Sequence, residues 1–253
     1  MFFLSSPLEQ FQILPIISLN FGIFDFSITN ATFILAFGLL TFLFIFYSIL
    51  AQNDTCFVAP NAIQYVIELF YGVVYSLLND NVGSAGKSFF PYVFTLFTFI
   101  LISNVIGLVP YSFTVTSHLI VTFTLALMTF IGINIICIKE HGIHMLSLFL
   151  PSGSSIFLAL LLIPIEIVSY FFRPISLSVR LFANMMAGHT LLKVIIGFAW
   201  VMMLAGGGLL IAHTIPLLIL VVLMFLELGV ACIQAYVFSI LVCIYLNDAI
   251  HLH

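Results

Sequence analysis

Glu166, Arg173 and Arg180 are spaced by seven residues. Seven residues turn an α-helix by about 700°, so each lies within about 20° of the last and all three share one stripe. Asn184 falls one turn beyond Arg180 on nearly the same face. His189, nine residues from Arg180, falls about 180° around the helix and about 13 Å along it. A second stripe holds His213, Glu227 and Gln234, separated by fourteen and seven. Histidine and glutamate take up and release protons once burial or neighbours tune them, whereas arginine effectively never deprotonates. A row of protonatable groups interrupted by a permanent positive charge is a poor continuous wire. It suits two separate half-paths with an electrostatic barrier between them, the protons being handed over by a moving carboxylate that must lose its proton on meeting the arginine.

The elements that carry these residues are set by composition. Of 253 residues, 64% are hydrophobic and 6% are charged, against roughly 25% charged in soluble domains. Five Lys/Arg and nine Asp/Glu cannot supply a polar shell, so the bilayer is the natural solvent. A net charge of −4, scattered along the chain, points to no nucleic-acid or acidic-substrate partner. Cys56, Cys137, Cys232 and Cys243 show no metal-ligand spacing, and the last three sit in apolar runs where thiols pack as small hydrophobes. No cofactor or metal site is expected. The opening MFFLSSPLEQ has no basic region before an apolar run, so either a leader has already been removed or none is needed.

The chain reads as one membrane domain over 1–253, all-α, with about five membrane-embedded helices and one interfacial helix. Residues 28–50 are predicted to form the first span, matching a hydrocarbon core of about 30 Å at 1.5 Å per residue. Over 60–79, Asn61, Gln64, Glu68, Gly72, Tyr75 and Asn79 recur at helical spacing, which predicts an interfacial helix with a narrow wet stripe and Glu68 solvated on it. Residues 91–111 and 115–138 are predicted as a helical hairpin joined by a short Ser-Phe-Thr turn. Lys87 and Lys139 flank it on one side, which the positive-inside tendency assigns to the cytoplasm or matrix.

Residues 154–247 hold the ion path: an apolar run over 154–204, an Ala205-Gly206-Gly207-Gly208 interruption, and a second run over 209–247. As one helix the second run is about 58 Å long. Either the two helices cross the bilayer steeply inclined, or each is broken, with loops near Arg173 and Pro216. Folding the two runs back on each other about residues 206 and 207 sets Arg180 opposite Ile233 and Gln234. The same reflection sets Glu166 opposite Asn247 and Asp248, and His189 within about one turn of Glu227.

The stretch from Ser178 to His189, SVRLFANMMAGH, resembles the arginine signature of the F-type ATP synthase a subunit. Glu227 through Gln234, continuing as Ala235-Tyr236-Val237-Phe238, is similar to the companion motif on the last helix, and Asn104 to Pro110 (NVIGLVP) to the third-helix motif. The resemblance covers nearly the whole chain. It implies steeply inclined last helices packed as a hairpin. It implies that Arg180 faces a rotating c ring and attracts each c-subunit carboxylate while blocking leakage, with Gln234 accompanying it and Asn184 on its face. It implies that His189 and Glu227 line the entry half-channel and Glu166 the exit, with Asp248 beside Glu166. The partners implied are the c ring, the peripheral stalk and the other membrane subunits; ATP chemistry belongs to soluble partners, and the chain is no enzyme on its own. Having His at 189 and Glu at 227 resembles the mitochondrial form, in the inner membrane, with a bacterial or other energy-transducing membrane as the alternative.

Plainer readings stand beside these. Arg180 could be a structural cation neutralised by Glu166, two turns or more away. Arg173, beside Pro174, reads as structural, paired with a headgroup or with Glu166, and His213 as a hydrogen-bonded core residue. Residues 81–88 (NVGSAGKS) imitate a phosphate-binding loop but lack its first glycine and a preceding strand, so no nucleotide site is expected. The Asn-x-Thr triplets at 30–32 and 53–55 match glycosylation acceptors that arise often by chance. A haem carrier would need paired histidines on two helices, which His118, His141, His144, His189 and His213 do not offer. A secondary antiporter would show an internal repeat, and none is visible. Another proton-coupled transporter subunit remains the alternative function.

Overall fold

The computed structural model describes residues 8–21, 24–50, 62–109, 112–142, 156–206 and 212–250. Among them are six α-helices: α1 (Asn30–Leu50), α2 (Ala62–Val82), α3 (Phe90–Gly107), α4 (Leu119–His141), α5 (Ile156–Ala205) and α6 (Thr214–Ile250). Helices satisfy every backbone polar group internally, which is what an apolar chain in lipid requires. The segments containing α3, α4, α5 and α6 are each long and apolar enough to cross a membrane. The 21 residues of α1 extend about 31 Å. Cys56, Asn61, the triplet at 53–55, His144 and Gly207-Gly208 lie outside the described residues.

The alternative of broken final helices does not hold. α5 is continuous for 50 residues, with Pro164 and Pro174 inside it, and extends about 75 Å; α6 has 37 residues and extends about 56 Å. A proline removes one intrahelical donor and bends the helix without ending it when the flanking turns stay bonded. After Pro174 the Ser178 hydroxyl donates back to the Ile175 carbonyl at 3.0 Å. Pro216 sits in the first turn of α6, where backbone N–H groups have no intrahelical acceptor in any case. The glycine interruption is a true stop: α5 ends at Ala205 and Gly206 adopts φ +69°, the left-handed conformation that closes many helices.

Two expectations need correction. The connection between α3 and α4 is not a three-residue turn, because α3 stops at Gly107 and α4 starts at Leu119, with a 3₁₀ turn at Val115–Ser117 between them. Pro110 cannot continue a helix, and the chain returns so closely that a Cβ on Gly107 would stand 2.6 Å from Thr114 Cγ2. Second, residues ahead of α1 form strands. Pro15–Ile17 (β1) pairs antiparallel with Ile28–Thr29 (β4), and Asn20–Phe21 (β2) with Phe24–Asp25 (β3). The first span therefore starts at Asn30 rather than 28. Thr29 acts as its cap: its N–H donates to Thr32 Oγ1 at 2.9 Å, and Thr32 N–H donates back to Thr29 Oγ1 at 3.4 Å.

The chain separates into two compact units. The first comprises Met1–Phe44, Phe99–Leu119 and Leu181–Gln234; the second comprises Ile45–Thr98, Ile120–Arg180 and Ala235–His253. Within the first, Asn104 is fully buried on α3 and its side-chain amide donates to the Ala231 carbonyl of α6 at 3.4 Å. Within the second, α2 turns Val74, Leu77 and Leu78 inward and leaves Glu68, Gly72, Tyr75 and Asn79 exposed. Its rings meet α3 through Phe70 and Phe97 at 6.1 Å and Tyr71 and Phe90 at 4.7 Å. The loop that imitates a phosphate site is a packing turn, since a Cβ on Gly86 would stand 2.6 Å from Leu78 Cδ2.

Candidate functional site

The stripe of three ionisable residues on α5 resolves into one saturated arginine and one open one. Arg173, in the second unit, lies 3.9 Å from Glu166 Oε1 one stripe-step back on α5 and 3.5 Å from Asp248 Oδ2 on α6. Its guanidinium also stands over the rings of Tyr170, at 5.1 Å, and Tyr245, at 4.9 Å, within cation–π range. The structural reading of Arg173 paired with Glu166 therefore holds, and Asp248 joins the pair. Two carboxylates therefore face one guanidinium. A small cavity opens beside it, lined by Phe130, Ile133 and Cys137 of α4 together with the cluster.

Arg180, one stripe-step further, is exposed and has no ion-pair or hydrogen-bond partner among the described residues. Glu166 is engaged by Arg173 and does not neutralise it. Along the same face Ala183, Asn184 and Ala187 are exposed as well, all small, so the face around the arginine is one that a neighbouring helix can approach closely.

In the first unit, Glu227 of α6 is buried, and its carboxylate lies against α5 at Gly188: a Cβ there would stand 2.7 Å from Glu227 Oε1. The next residue is His189, half-buried, whose ring meets Phe11 edge-on at 6.4 Å. Glu227 Oε1 and His189 Nε2 are both buried with no hydrogen-bond partner among the described residues. Gln234 is buried seven residues along α6 from Glu227.

His213 immediately precedes α6, and its carbonyl accepts from Leu217 N at 3.4 Å. Cys137 and Cys243 are buried and Cys232 exposed, all as free thiols. Among the described residues, no group of three His, Cys, Asp or Glu is placed to hold a metal ion.

Spacing arguments confined to ionisable residues passed over the aromatic half of the site. Tyr170 stands four residues after Glu166 and three before Arg173, on the same stripe, and its hydroxyl donates to Asn134 of α4. Tyr245 stands three before Asp248. Both were available to the same periodicity. Phe11 was not, because nothing in the sequence links it to His189.

Ionisable residues set at intervals along two long apolar helices, some paired and some without a partner among the described residues, define an integral membrane protein of the ion-translocating kind. The family described as ATP synthase A chain matches residues 31–247. An ATP synthase subunit a of Pylaiella littoralis is 60% identical over 249 residues, covering 98% of this chain and 99% of its own. Another, of Chondrus crispus, is 48% identical over all of this chain and 98% of its own. A third, of Paramagnetospirillum magneticum, is 45% identical over 99% of this chain and all of its own. The chain belongs to the ATP synthase subunit a family and is the proton-translocating membrane component of that complex.

Proposed function

We propose that this chain conducts protons in two half-paths separated by Arg180, each exchanging with a carboxylate carried by a rotating c ring. His189 and Glu227 load the carboxylate on the entry side. Arg180 discharges it, and the proton leaves through Glu166 and Asp248 after nearly a full rotation. Gln234 and Asn184 accompany the arginine. The chain itself is non-catalytic; the peripheral stalk and neighbouring membrane subunits hold it still against the ring, and nucleotide chemistry lies in soluble partners. Each 100 mV is worth about 2.3 kcal/mol per proton, which drives the rotation.

The observation that carries this reading is the contrast between the two arginines. A lone guanidinium at membrane depth costs between about 2.5 and more than 10 kcal/mol, so it is kept only where a partner meets it. Arg173 has its partners inside the chain. Arg180 has none among the described residues, and the small residues along its face admit a helix from outside the chain that bears one. α2 lies at the membrane interface and the last two helices cross steeply inclined, as their length demands. The placement of His at 189 and Glu at 227 supports the mitochondrial inner membrane as the location.

The test is coupled proton pumping and passive proton leak in vesicles bearing the assembled complex, comparing the native chain with Arg180→Ala. Coupled transport should vanish while the passive leak stays equal or grows. Normal coupled transport would return Arg180 to a structural role.

A further inference from the structure

The residues ahead of α1 belong to no part of the proton path described above, yet one of them touches it. Between Leu8 and Leu19 every residue is exposed except Gln10 and Phe11. Phe11 closes a 3₁₀ turn, Glu9–Phe11, and its ring lies 6.4 Å from the His189 ring at an interplanar angle of 77°. This is the edge-to-face arrangement that aromatic pairs favour. Beside it, Gln10 Nε2 is buried with no hydrogen-bond partner among the described residues, as are His189 Nε2 and Glu227 Oε1 in the same unit. A buried polar atom left without a partner costs about 1–3 kcal/mol, so such atoms collect where water is to be held.

The segment is also tied down. Asn30, the first residue of α1, donates from its side-chain amide to the Gln12 carbonyl at 3.0 Å and accepts from Leu14 N at 3.2 Å. Its own N–H donates to the Leu14 carbonyl at 3.1 Å. Three bonds therefore anchor the chain one to three residues from Phe11, so the ring is held against the histidine by the start of a helix.

We propose that residues 9–14 form a strap over the proton-entry site, in which Phe11 is a positioning residue that fixes the His189 imidazole and Gln10 lines the approach to it. This rests on the reading of His189 and Glu227 as the entry half-path. Among charged groups, Glu227 of α6 lies against Gly188, the residue before the histidine, Lys193 follows one turn on along α5, and Glu9 heads the strap. Phe11 carries no charge, so its contribution is orientation and exclusion of loose water.

The test uses vesicles bearing the assembled complex, with ATP synthesis driven by an imposed proton gradient and the pH of each face varied in turn. Phe11→Ala should lower the rate per assembled complex by about two- to tenfold, the range over which losing one aromatic pair moves an equilibrium. It should displace the dependence on entry-face pH and leave the exit-face profile and the passive leak unchanged. Phe11→Tyr, which keeps a ring edge in place, should restore most of the rate. If Phe11→Ala fails to assemble, Phe11→Leu keeps the bulk without the ring and carries the same expectation. An unchanged entry-face profile, or equal changes on both faces, would overturn the strap. Glu227→Gln measured in parallel separates the two ideas: slow entry there with a normal Phe11 variant sinks the strap alone, and normal entry there sinks the entry site itself.

Discussion

Gly188 shows how closely the site is built at the residue scale. In a helix interior alanine is favoured over glycine by about 1 kcal/mol, so a glycine there needs a reason. The reason is the Glu227 carboxylate, whose Oε1 would stand 2.7 Å from an added methyl. Gly188→Ala should therefore leave α5 at least as stable while pushing Glu227 out of place. Gradient-driven ATP synthesis per assembled complex should fall about tenfold, as small displacements of a reacting group commonly cost that much or more. An unchanged rate would mean that Glu227 has room to move without consequence. Glu227 and His189 were both legible from spacing, because reflection about the glycine break needs only residue numbers. The glycine between them was not, since a missing side chain leaves no periodic signal. Arg173 and Arg180 look alike in sequence, and only the carboxylates and rings drawn around the first distinguish them.

At the scale of elements, the helices could be read because lipid permits an apolar run of about 20 residues almost no other form. What escaped was the polar, irregular chain between them. The strands ahead of α1 are two or three residues long, too short for alternation to register. The connection from α3 to α4 leaves no periodic signal for the same reason. It buries Thr114, Thr116 and Ser117 and stacks His118 on Phe113 at 4.9 Å. Burial holds the His118 imidazole below its ordinary range. The folded connection then binds fewer protons than the unfolded chain, so its stability is complete above the ordinary value near 6.5 and declines as pH falls through it. Hydrogen-exchange protection factors for residues 112–118, corrected for intrinsic rates, should drop between about pH 7 and pH 5.5. In His118→Asn they should not, and a flat profile in the native chain would remove the histidine from the argument.

At the scale of the whole molecule, the two protonatable clusters fall in different units, His189 and Glu227 in one and Glu166, Arg173 and Asp248 in the other. The unit boundaries fall immediately after Arg180 on α5 and after Gln234 on α6. The sequence could show that two polar stripes exist. It could not show that each cluster is assembled with separate helices, Asn134 and Tyr170 on one side and Asn104 with Ala231 on the other, because those pairings span long separations between apolar runs. Separate assembly has a kinetic consequence. On the proposed function a ring carboxylate is loaded at one cluster and emptied at the other, so the times of the two exchanges add. If Glu227→Gln and Glu166→Gln each slow gradient-driven turnover about tenfold, the double variant should be about twentyfold slower, whereas two changes acting on one step would multiply to about a hundredfold. Turnover per assembled complex, with each single variant's rate restored or not by changing the pH on its own face, decides between them. A hundredfold loss that responds to both faces alike would mean one shared path, and Arg180 would then have nothing to separate.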